Sequence, residues 1–305
     1  MSGATQPAGT RGWLARIDAY ERLVRLDKPI GILLLLWPTL TALWIARWGM
    51  PPWSLVLIFT LGTILMRSSG CAFNDWADRK FDAHVARTAN RPLPRGEVTP
   101  AEALVVAAGL ALAAFGLVLA TNTTTVALSF AAVAIAVAYP FCKRFLALPQ
   151  AFLGLAFSFG IPMAFAAVYG AVPAYAWYLF ACNIFWVVAY DTEYAMVDRD
   201  DDRKLALKTS AITFGRFDVA AVATCYAIYL AGMAYLGNVR GLGLWYYAGL
   251  GIAALLAGYH VWLIRNRDRD GCFRAFLSNH WLGMAIFAGT AADFAFRLKA
   301  WPREF

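Results

Sequence analysis

The chain has 305 residues, of which 61% are hydrophobic and only 15% are charged. Ordinary soluble domains contain roughly 45–50% apolar and about 25% charged residues, so this composition excludes a soluble globular protein and indicates an integral membrane protein. The net charge of +8 is explained by attraction between basic loops and anionic lipid, so no nucleic-acid partner is needed. The oligomeric state is left open by the sequence.

Residues 1–28 precede the first apolar stretch. They contain no apolar core followed by a small-residue cleavage site, so they do not resemble a secretory signal. Apolar side chains alternate here with basic ones at helical spacing, which predicts a helix lying in the membrane interface; a solvated arm is the alternative. We therefore divide the chain into an N-terminal cytoplasmic or interfacial segment, residues 1–28, and a single polytopic membrane domain, residues 29–305.

Long apolar stretches follow, each close to the ~17–25 residues that span a bilayer as a helix. Nine of them can be distinguished, at residues 30–46, 53–73, 102–120, 123–141, 150–169, 175–195, 217–236, 243–264 and 279–298. Pro38 and Pro162 interrupt the first and fifth stretches, and membrane helices tolerate such kinks when their neighbours satisfy the backbone. The sequence predicts an all-α integral membrane protein of about nine transmembrane helices around a central cavity.

Basic residues indicate the orientation. Most of the 27 Lys and Arg residues fall before the first stretch or in the loops after the second, fourth, sixth and eighth stretches. The positive-inside rule then places the N-terminus, both acidic motifs and the loop around Lys143 in the cytoplasm.

Two acidic motifs, NDWADRKFD and DTEYAMVDRDDD, recur in register. Asp78 precedes Asp198 by 120 residues, and Asp82 precedes Asp202 by the same distance. Such recurrence predicts two pseudo-repeat halves, to which one further helix is added. Ionisable groups at membrane depth are costly, so this cluster is a functional-site hypothesis.

Helical geometry indicates what the motifs bind. Asn74, Asp78 and Asp82 share one helix face, and a second face carries Asp191, Tyr194, Asp198 and Asp202. Oxygen ligands without His or Cys favour Mg²⁺ or Mn²⁺ over Zn²⁺, and phosphate oxygens commonly complete the shell of Mg²⁺. The expected ligand is therefore a Mg²⁺-bound diphosphate. A solvated acidic patch at the helix ends is the alternative.

Basic side chains near the motifs fit an anionic partner. Arg67 precedes Asn74 by seven residues, so it lies on the same face about two turns deeper, where an arginine needs an anion. Tyr139 and Lys143 share a face, and Arg144 is adjacent. The other loop arginines and lysines are explained by topology alone, and the five cysteines and three histidines show no ligand spacing.

These motifs resemble the UbiA superfamily of intramembrane aromatic prenyltransferases. The resemblance rests on the NDxxDxxxD stretch, the YPFCKR segment and DTEYAMVDRDDD, and it covers nearly the whole chain from about Leu26. The longer strings DKPIGILLLLWPTL, RTANRPLPRG and KTSAITFG are most similar to the members that prenylate 4-hydroxybenzoate in ubiquinone biosynthesis.

The resemblance implies a nine-helix fold with a lipid-accessible tunnel for the isoprenoid tail and two Mg²⁺ ions. It implies that the metal and diphosphate ligands are Asn74, Asp78, Asp82, Asp198 and Asp202. Lys143 and Arg144 fall where the family binds diphosphate, and Asp191 falls where a role toward the aromatic acceptor is expected. From its position on the helix face, Arg67 is expected to contact either the diphosphate or the carboxylate of the acceptor. The implied reaction joins a polyprenyl diphosphate to 4-hydroxybenzoate at the cytoplasmic side of the bacterial inner membrane.

Two alternatives remain at this stage. A relative in the same superfamily would prenylate another acceptor, such as haem, homogentisate or a naphthoate. A transporter of an anionic or phosphorylated substrate would also show repeats and Pro-interrupted helices, but its ionisable groups would lie nearer the membrane midplane.

Overall fold

The computed structural model describes residues 8–83, 85, 87–142 and 144–300, without the side chains of residues 8–11 and 298–300. Within these ranges every regular element is helical. The helices are α1 (Ala8–Leu23), α2 (Ile30–Arg47), α3 (Trp53–Asp82), α4 (Pro100–Val118), α5 (Thr123–Cys142), α6 (Pro149–Ser158), α7 (Gly160–Tyr169), α8 (Ala174–Lys204), α9 (Ser210–Phe214), α10 (Asp218–Val239), α11 (Leu244–Ile264) and α12 (Arg269–Ala300).

Each of the nine predicted stretches coincides with helical structure to within two residues, but the count of membrane spans is smaller. Among the described residues, seven segments are long and apolar enough to cross a membrane: α2, α3, α4, α5, the α6–α7 pair, the run from α9 through α10, and α11. Helices α8 and α12 are not among them. A multi-pass membrane protein is therefore supported, whereas the exact number of nine spans is not confirmed.

The two interior prolines act differently from each other. The fifth stretch is divided at Phe159, between α6 and α7, as Pro162 predicts. Proline has no N–H to bond the carbonyl four residues earlier, and that carbonyl belongs to Ser158, the last residue of α6. Helix α2 instead continues unbroken through Pro38. The first stretch is therefore one helix that tolerates Pro38, as expected for a proline in a membrane helix.

Helices α2 and α8 lie at the centre of the packing. Helix α2 packs against α3, α7 and α12, and α8 packs against α6, α10 and α12. Large apolar side chains on the outer helices remain exposed, among them Val105 and Leu112 on α4, Phe130 on α5 and Leu255 on α11. An apolar outer surface of this kind is compatible with hydrocarbon rather than water.

Helix α1 lies over a second, smaller core. Its Ala19 and Leu23 are buried against side chains from α3, α4 and the segment between them. Arg16 pairs with Glu102, and Arg22 pairs with Glu97. The expected N-terminal helix is present, and Trp13 on its other side is exposed.

Helices α3 and α8 carry the two acidic motifs. With 30 and 31 residues they are longer than the roughly 20 residues that cross hydrocarbon. Each motif occupies the last turns of its helix, so the carboxylates project beyond the apolar part of the helix. The corresponding lengths and motif positions fit the predicted pseudo-repeat.

Candidate active site

A cavity of about 810 Å³ lies between the helices. Side chains of both acidic motifs line this cavity, one motif on α3 and the other on α8. Its lining includes the predicted polar residues Arg67, Asn74, Asp78, Asp82, Asp191, Tyr194, Asp198 and Asp202. Residues that are 120 positions apart in sequence are thus brought to one space, as the two helical faces predicted.

Arg87 joins the segment between α3 and α4 to the α8 motif. Its Nε lies 3.1 and 3.0 Å from the two carboxylate oxygens of Asp198, and its Nη2 donates to Oδ2 at 2.6 Å. The guanidinium carbon also lies 4.4 Å from the ring centre of Tyr194. Burial alone would lower the pKa of Arg87, but the interactions with Tyr194 and Asp198 outweigh it and raise the pKa above its ordinary value. Arg87 therefore remains a cation at the cavity.

Asp75 connects two further arginines at the α3 motif. Its carboxylate is almost fully buried and accepts hydrogen bonds from Nη2 of Arg25 at 2.9 and 3.1 Å and from Nη1 of Arg91 at 2.9 Å. Arg91 also donates to Oδ2 of Asp82 at 2.9 Å. All four residues line the cavity. Hydrogen bonds from Arg25 and Arg91 therefore connect the α3 motif to the segment after α1 and to the segment after α3.

These three arginines were not predicted from the sequence to be site residues. Arg25, Arg87 and Arg91 all lie in basic stretches whose composition is already explained by membrane topology. Only the folded chain distinguishes them from the neighbouring Arg79, which lies over Trp76 and is not in the cavity lining. The RTANRPLPRG string was one signal for Arg87 and Arg91.

Arg67 lies deeper in the cavity than the carboxylates of α3. Its Nε is buried and has no hydrogen-bond partner among the described residues. The guanidinium carbon lies 5.5 Å from the ring centre of Phe157 on α6. A guanidinium with an unsatisfied N–H group beside an apolar ring is suited to bind an anion that enters the cavity.

A buried tyrosine, Tyr190, lies within electrostatic reach of Arg67 and of Asp191. The Tyr190 hydroxyl is near enough to Asp191, Arg67 and Tyr139 to interact with them electrostatically. This hydroxyl has no hydrogen-bond partner within the described part of the chain. Both Tyr190 and Asp191 line the cavity. Tyr190 was not selected from the sequence, because a tyrosine in an apolar stretch gives no chemical signal.

Two predicted basic residues remain, Lys143 and Arg144. Lys143 is outside the described residues, so its expected diphosphate contact is not tested. Arg144 is not in the cavity lining; its Nη2 lies 3.4 Å from the carbonyl oxygen of Ala77, and its guanidinium stacks over Phe81 and Phe141.

The donor atoms available to a metal are all oxygens. Among the described side chains, no group of three or more His, Cys, Asp and Glu residues lies close enough to hold a metal ion. Arginines are hydrogen-bonded to Asp75, Asp82 and Asp198. The chemistry of the donors and their placement on one cavity suit a hard divalent cation, provided that the arginines share or yield the carboxylates.

The deeper part of the cavity is apolar. Its lining there includes Leu34, Phe59 and Met163. One continuous space therefore has a charged end and a hydrocarbon-like interior. That division suits a molecule with an anionic head and an apolar tail.

Comparisons with known proteins agree with this description. Residues 35–283 match the model of the UbiA prenyltransferase family. A protein of Cupriavidus necator named 4-hydroxybenzoate octaprenyltransferase is 61% identical over 284 residues, which cover 93% of this chain and all of that protein. A protein of the same name from Thiobacillus denitrificans is 58% identical over 92% of this chain and 96% of its own length.

Solved structures have the same fold. The apo structure of a UbiA homolog from Aeropyrum pernix has a TM-score of 0.72 at 24% identity and covers 88% of this chain and 98% of its own. A UbiA homolog from Archaeoglobus fulgidus, bound to GPP and Mg²⁺, has a TM-score of 0.68 at 17% identity and covers 91% and 99%. With the family match extending over most of its length, this chain belongs to the UbiA prenyltransferase family.

Proposed function

We propose that the protein transfers a polyprenyl group from polyprenyl diphosphate to the ring carbon ortho to the hydroxyl of 4-hydroxybenzoate, with Mg²⁺ as cofactor and release of diphosphate. The observation that carries the proposal is the cavity, which joins a carboxylate- and arginine-lined end to an apolar interior. About 60% identity to proteins named 4-hydroxybenzoate octaprenyltransferase supports the same activity.

The metal and diphosphate belong at the charged end. Asn74, Asp78, Asp82, Asp198 and Asp202 are the residues that would hold Mg²⁺. When bound, the ions would neutralise the charge that develops on the leaving diphosphate. The solved homolog bound to GPP and Mg²⁺ supports Mg²⁺ and a prenyl diphosphate as the ligands.

Basic side chains of the chain itself assist the departure of diphosphate. Arg25, Arg87 and Arg91 line the same end of the cavity, and Lys143 and Arg144 are further proposed contacts by family resemblance. Preorganised cations stabilise a developing anion without reorganising at the moment of reaction. The bond between the first prenyl carbon and the diphosphate oxygen then breaks, and the prenyl group becomes an allylic cation.

The aromatic acceptor belongs beside Arg67, where its carboxylate would meet the unsatisfied guanidinium. Such a bidentate, charge-assisted contact orients the ring as well as binding it. The phenol end would then extend toward Asp191, which would polarise the hydroxyl or accept a proton. The ortho ring carbon forms the new bond to the prenyl carbon, and loss of the proton on that ring carbon restores aromaticity.

Apolar walls protect the cationic intermediate. Phe157, Phe273 and Phe276 line the cavity, and aromatic faces attract cations. The same side chains exclude water, which would otherwise capture the prenyl cation.

Orientation and domain division remain part of the proposal. Residues 29–305 would form one membrane domain in the bacterial inner membrane, with the charged end of the cavity facing the cytoplasm. Residues 1–28 would lie at that surface. The basic residues near the charged end support this orientation.

One assay tests the function. Membranes containing the protein are incubated with Mg²⁺, a polyprenyl diphosphate and 4-hydroxybenzoate, and the product is identified by mass. We expect a product heavier than 4-hydroxybenzoate by one prenyl group minus one hydrogen, and reversible loss of activity with EDTA. Homogentisate and a naphthoate in parallel reactions distinguish a relative with another acceptor. Uptake of labelled substrate into sealed vesicles without any product would indicate a transporter instead.

A further inference from the structure

Gly31 lies directly against the guanidinium of Arg67. A β-carbon at position 31 would be 2.6 Å from Nε and 2.7 Å from Nη2 of Arg67, closer than real β-carbons approach other atoms. Gly31 is the second residue of α2, whereas Arg67 is on α3. The backbone of α2 therefore borders the position of this guanidinium, and only glycine leaves room for it.

Phe157 on α6 is a second neighbour of the same guanidinium. Its ring centre lies 5.5 Å from the guanidinium carbon of Arg67. We call the position of this guanidinium, bordered by Gly31 and Phe157, the guanidinium slot. All three residues line the cavity. A planar group bordered by two close neighbours keeps a fixed orientation, which is what a bidentate contact with a carboxylate requires.

We propose that Gly31 is a specificity-determining residue, because it positions the Arg67 guanidinium to bind the carboxylate of the aromatic acceptor. The inference rests on the proposed function and adds the residue that sets the geometry of that contact. A side chain at position 31 would push the guanidinium out of the slot without unfolding the protein, because the displaced atoms are the far end of a flexible side chain.

Gly31→Ala is the direct test. Loss of a charge-assisted hydrogen-bond pair corresponds to at least about a tenfold change in affinity, so KM for 4-hydroxybenzoate should rise by that factor or more. KM for polyprenyl diphosphate should change by less than about twofold, since the diphosphate contacts are elsewhere in the cavity. The preference for 4-hydroxybenzoate over phenol, which lacks the carboxylate, should fall by the same factor as the affinity.

Two further variants distinguish loss of Arg67 positioning from a general structural effect of the Gly31→Ala substitution. A β-carbon at Gly116 on α4 would have no atom within 4 Å, and Gly116 is not in the cavity lining, so Gly116→Ala should leave both KM values unchanged. In an Arg67→Lys background the planar group is gone, and Gly31→Ala should then change KM for 4-hydroxybenzoate by less than about twofold. A purely structural effect of Gly31→Ala would be the same in both backgrounds.

Equilibrium binding of benzoate to the purified full chain tests the role of Gly31 independently of the proposed prenyltransferase activity. Benzoate binding that weakens at least about tenfold in Gly31→Ala supports the slot even if the wild type fails to prenylate 4-hydroxybenzoate. Prenylation by the wild type with an unchanged KM for 4-hydroxybenzoate in Gly31→Ala overturns the inference and leaves the function standing. Equal increases in both KM values, or no benzoate binding by the wild type, also overturn it.

Discussion

The two sides of α8 stabilise acidic side chains in different ways. Toward the cavity, Asp198 is paired with the guanidinium of Arg87. Away from the cavity, Glu193 is fully buried and accepts hydrogen bonds from the Tyr226 hydroxyl at 2.9 Å and from the Asn279 amide at 2.8 Å. Glu193 forms no ion pair with any Lys or Arg of the described ranges. One acid is held by charge, and the other by neutral polar groups.

The neutral network connects four helices. The Tyr226 hydroxyl on α10 lies 3.1 Å from Nδ1 of His260 on α11 and 2.9 Å from Oδ1 of Asn279 on α12. Trp186 on α8 donates to the same amide oxygen at 2.9 Å. Satisfied buried networks of this kind fix the relative positions of packed elements. Glu193 thus contributes to holding α8, while Asp198 belongs to the surface that α8 presents to the cavity.

The largest expected effect follows from removing a carboxylate on the cavity side. Asp78→Ala or Asp198→Ala removes a proposed metal ligand, so turnover should fall by at least about a hundredfold, which corresponds to several kcal/mol of transition-state stabilisation. The variants should still insert and fold. Turnover of the variants and the wild type is compared by measuring prenyl transfer in membranes, with the amount of each protein determined by immunoblot.

Asp200 provides the matched control for that experiment. It lies on the same helix, two residues from Asp198, but it is exposed and not in the cavity lining. Asp200→Ala should keep wild-type turnover. Retention of more than about a tenth of the activity in both Asp78→Ala and Asp198→Ala would contradict the two-motif site.

A smaller effect is expected when the partner of Asp198 changes. Arg87→Lys keeps the positive charge but loses the planar fork that contacts both carboxylate oxygens. We expect kcat/KM for polyprenyl diphosphate to fall about tenfold, the value of one charge-assisted hydrogen bond. Steady-state kinetics at saturating 4-hydroxybenzoate measure this. If Arg79→Lys, outside the cavity, caused the same loss, Arg87 would have no special role.

The sequence predicted the helical stretches and the pairing of the two acidic motifs because both depend on local periodicity. Asp78, Asp82, Asp198 and Asp202 repeat at a fixed distance, and helical spacing alone places each pair on one face. The division of the fifth stretch near Pro162 was also predicted from a local property, the missing N–H group of proline. These features need no knowledge of how the helices pack.

Other features depend on packing between distant segments and were not predictable. Arg87 contacts a carboxylate 111 residues away in sequence, and Gly31 on α2 lies against Arg67 on α3. Glu193 belongs to the same acidic string as Asp198, yet tertiary contacts give it a different environment. Residue type and spacing identified the acids, whereas only the neighbours of each acid determine its role.

Glu193→Ala tests the neutral side of the comparison. Removal of this carboxyl leaves a buried gap and takes one partner from each of Tyr226 and Asn279, so the free energy of unfolding should fall by about 1–3 kcal/mol. Both KM values should remain within about twofold, because Glu193 does not line the cavity. Thermal unfolding in detergent together with kinetics measures the two effects. Tyr226→Phe should destabilise as well, and the double variant should lose less than the sum of the single losses.

The smallest effect is expected at Asp201, an acid of α8 that faces neither the cavity nor the neutral network. Its oxygens lie 3.8 Å from Nζ of Lys204 and 3.6 Å from Nη2 of Arg269, both of which are exposed cations. Long pairs with exposed cations contribute about 0–1 kcal/mol, and the substitution also removes a buried Oδ2 atom that has no hydrogen-bond partner among the described residues. Asp201→Ala should therefore leave the unfolding temperature and turnover close to those of the wild type. A large loss of turnover in Asp201→Ala would show that negative charge anywhere at this end of α8 matters, and the distinction between the two sides of the helix would fail.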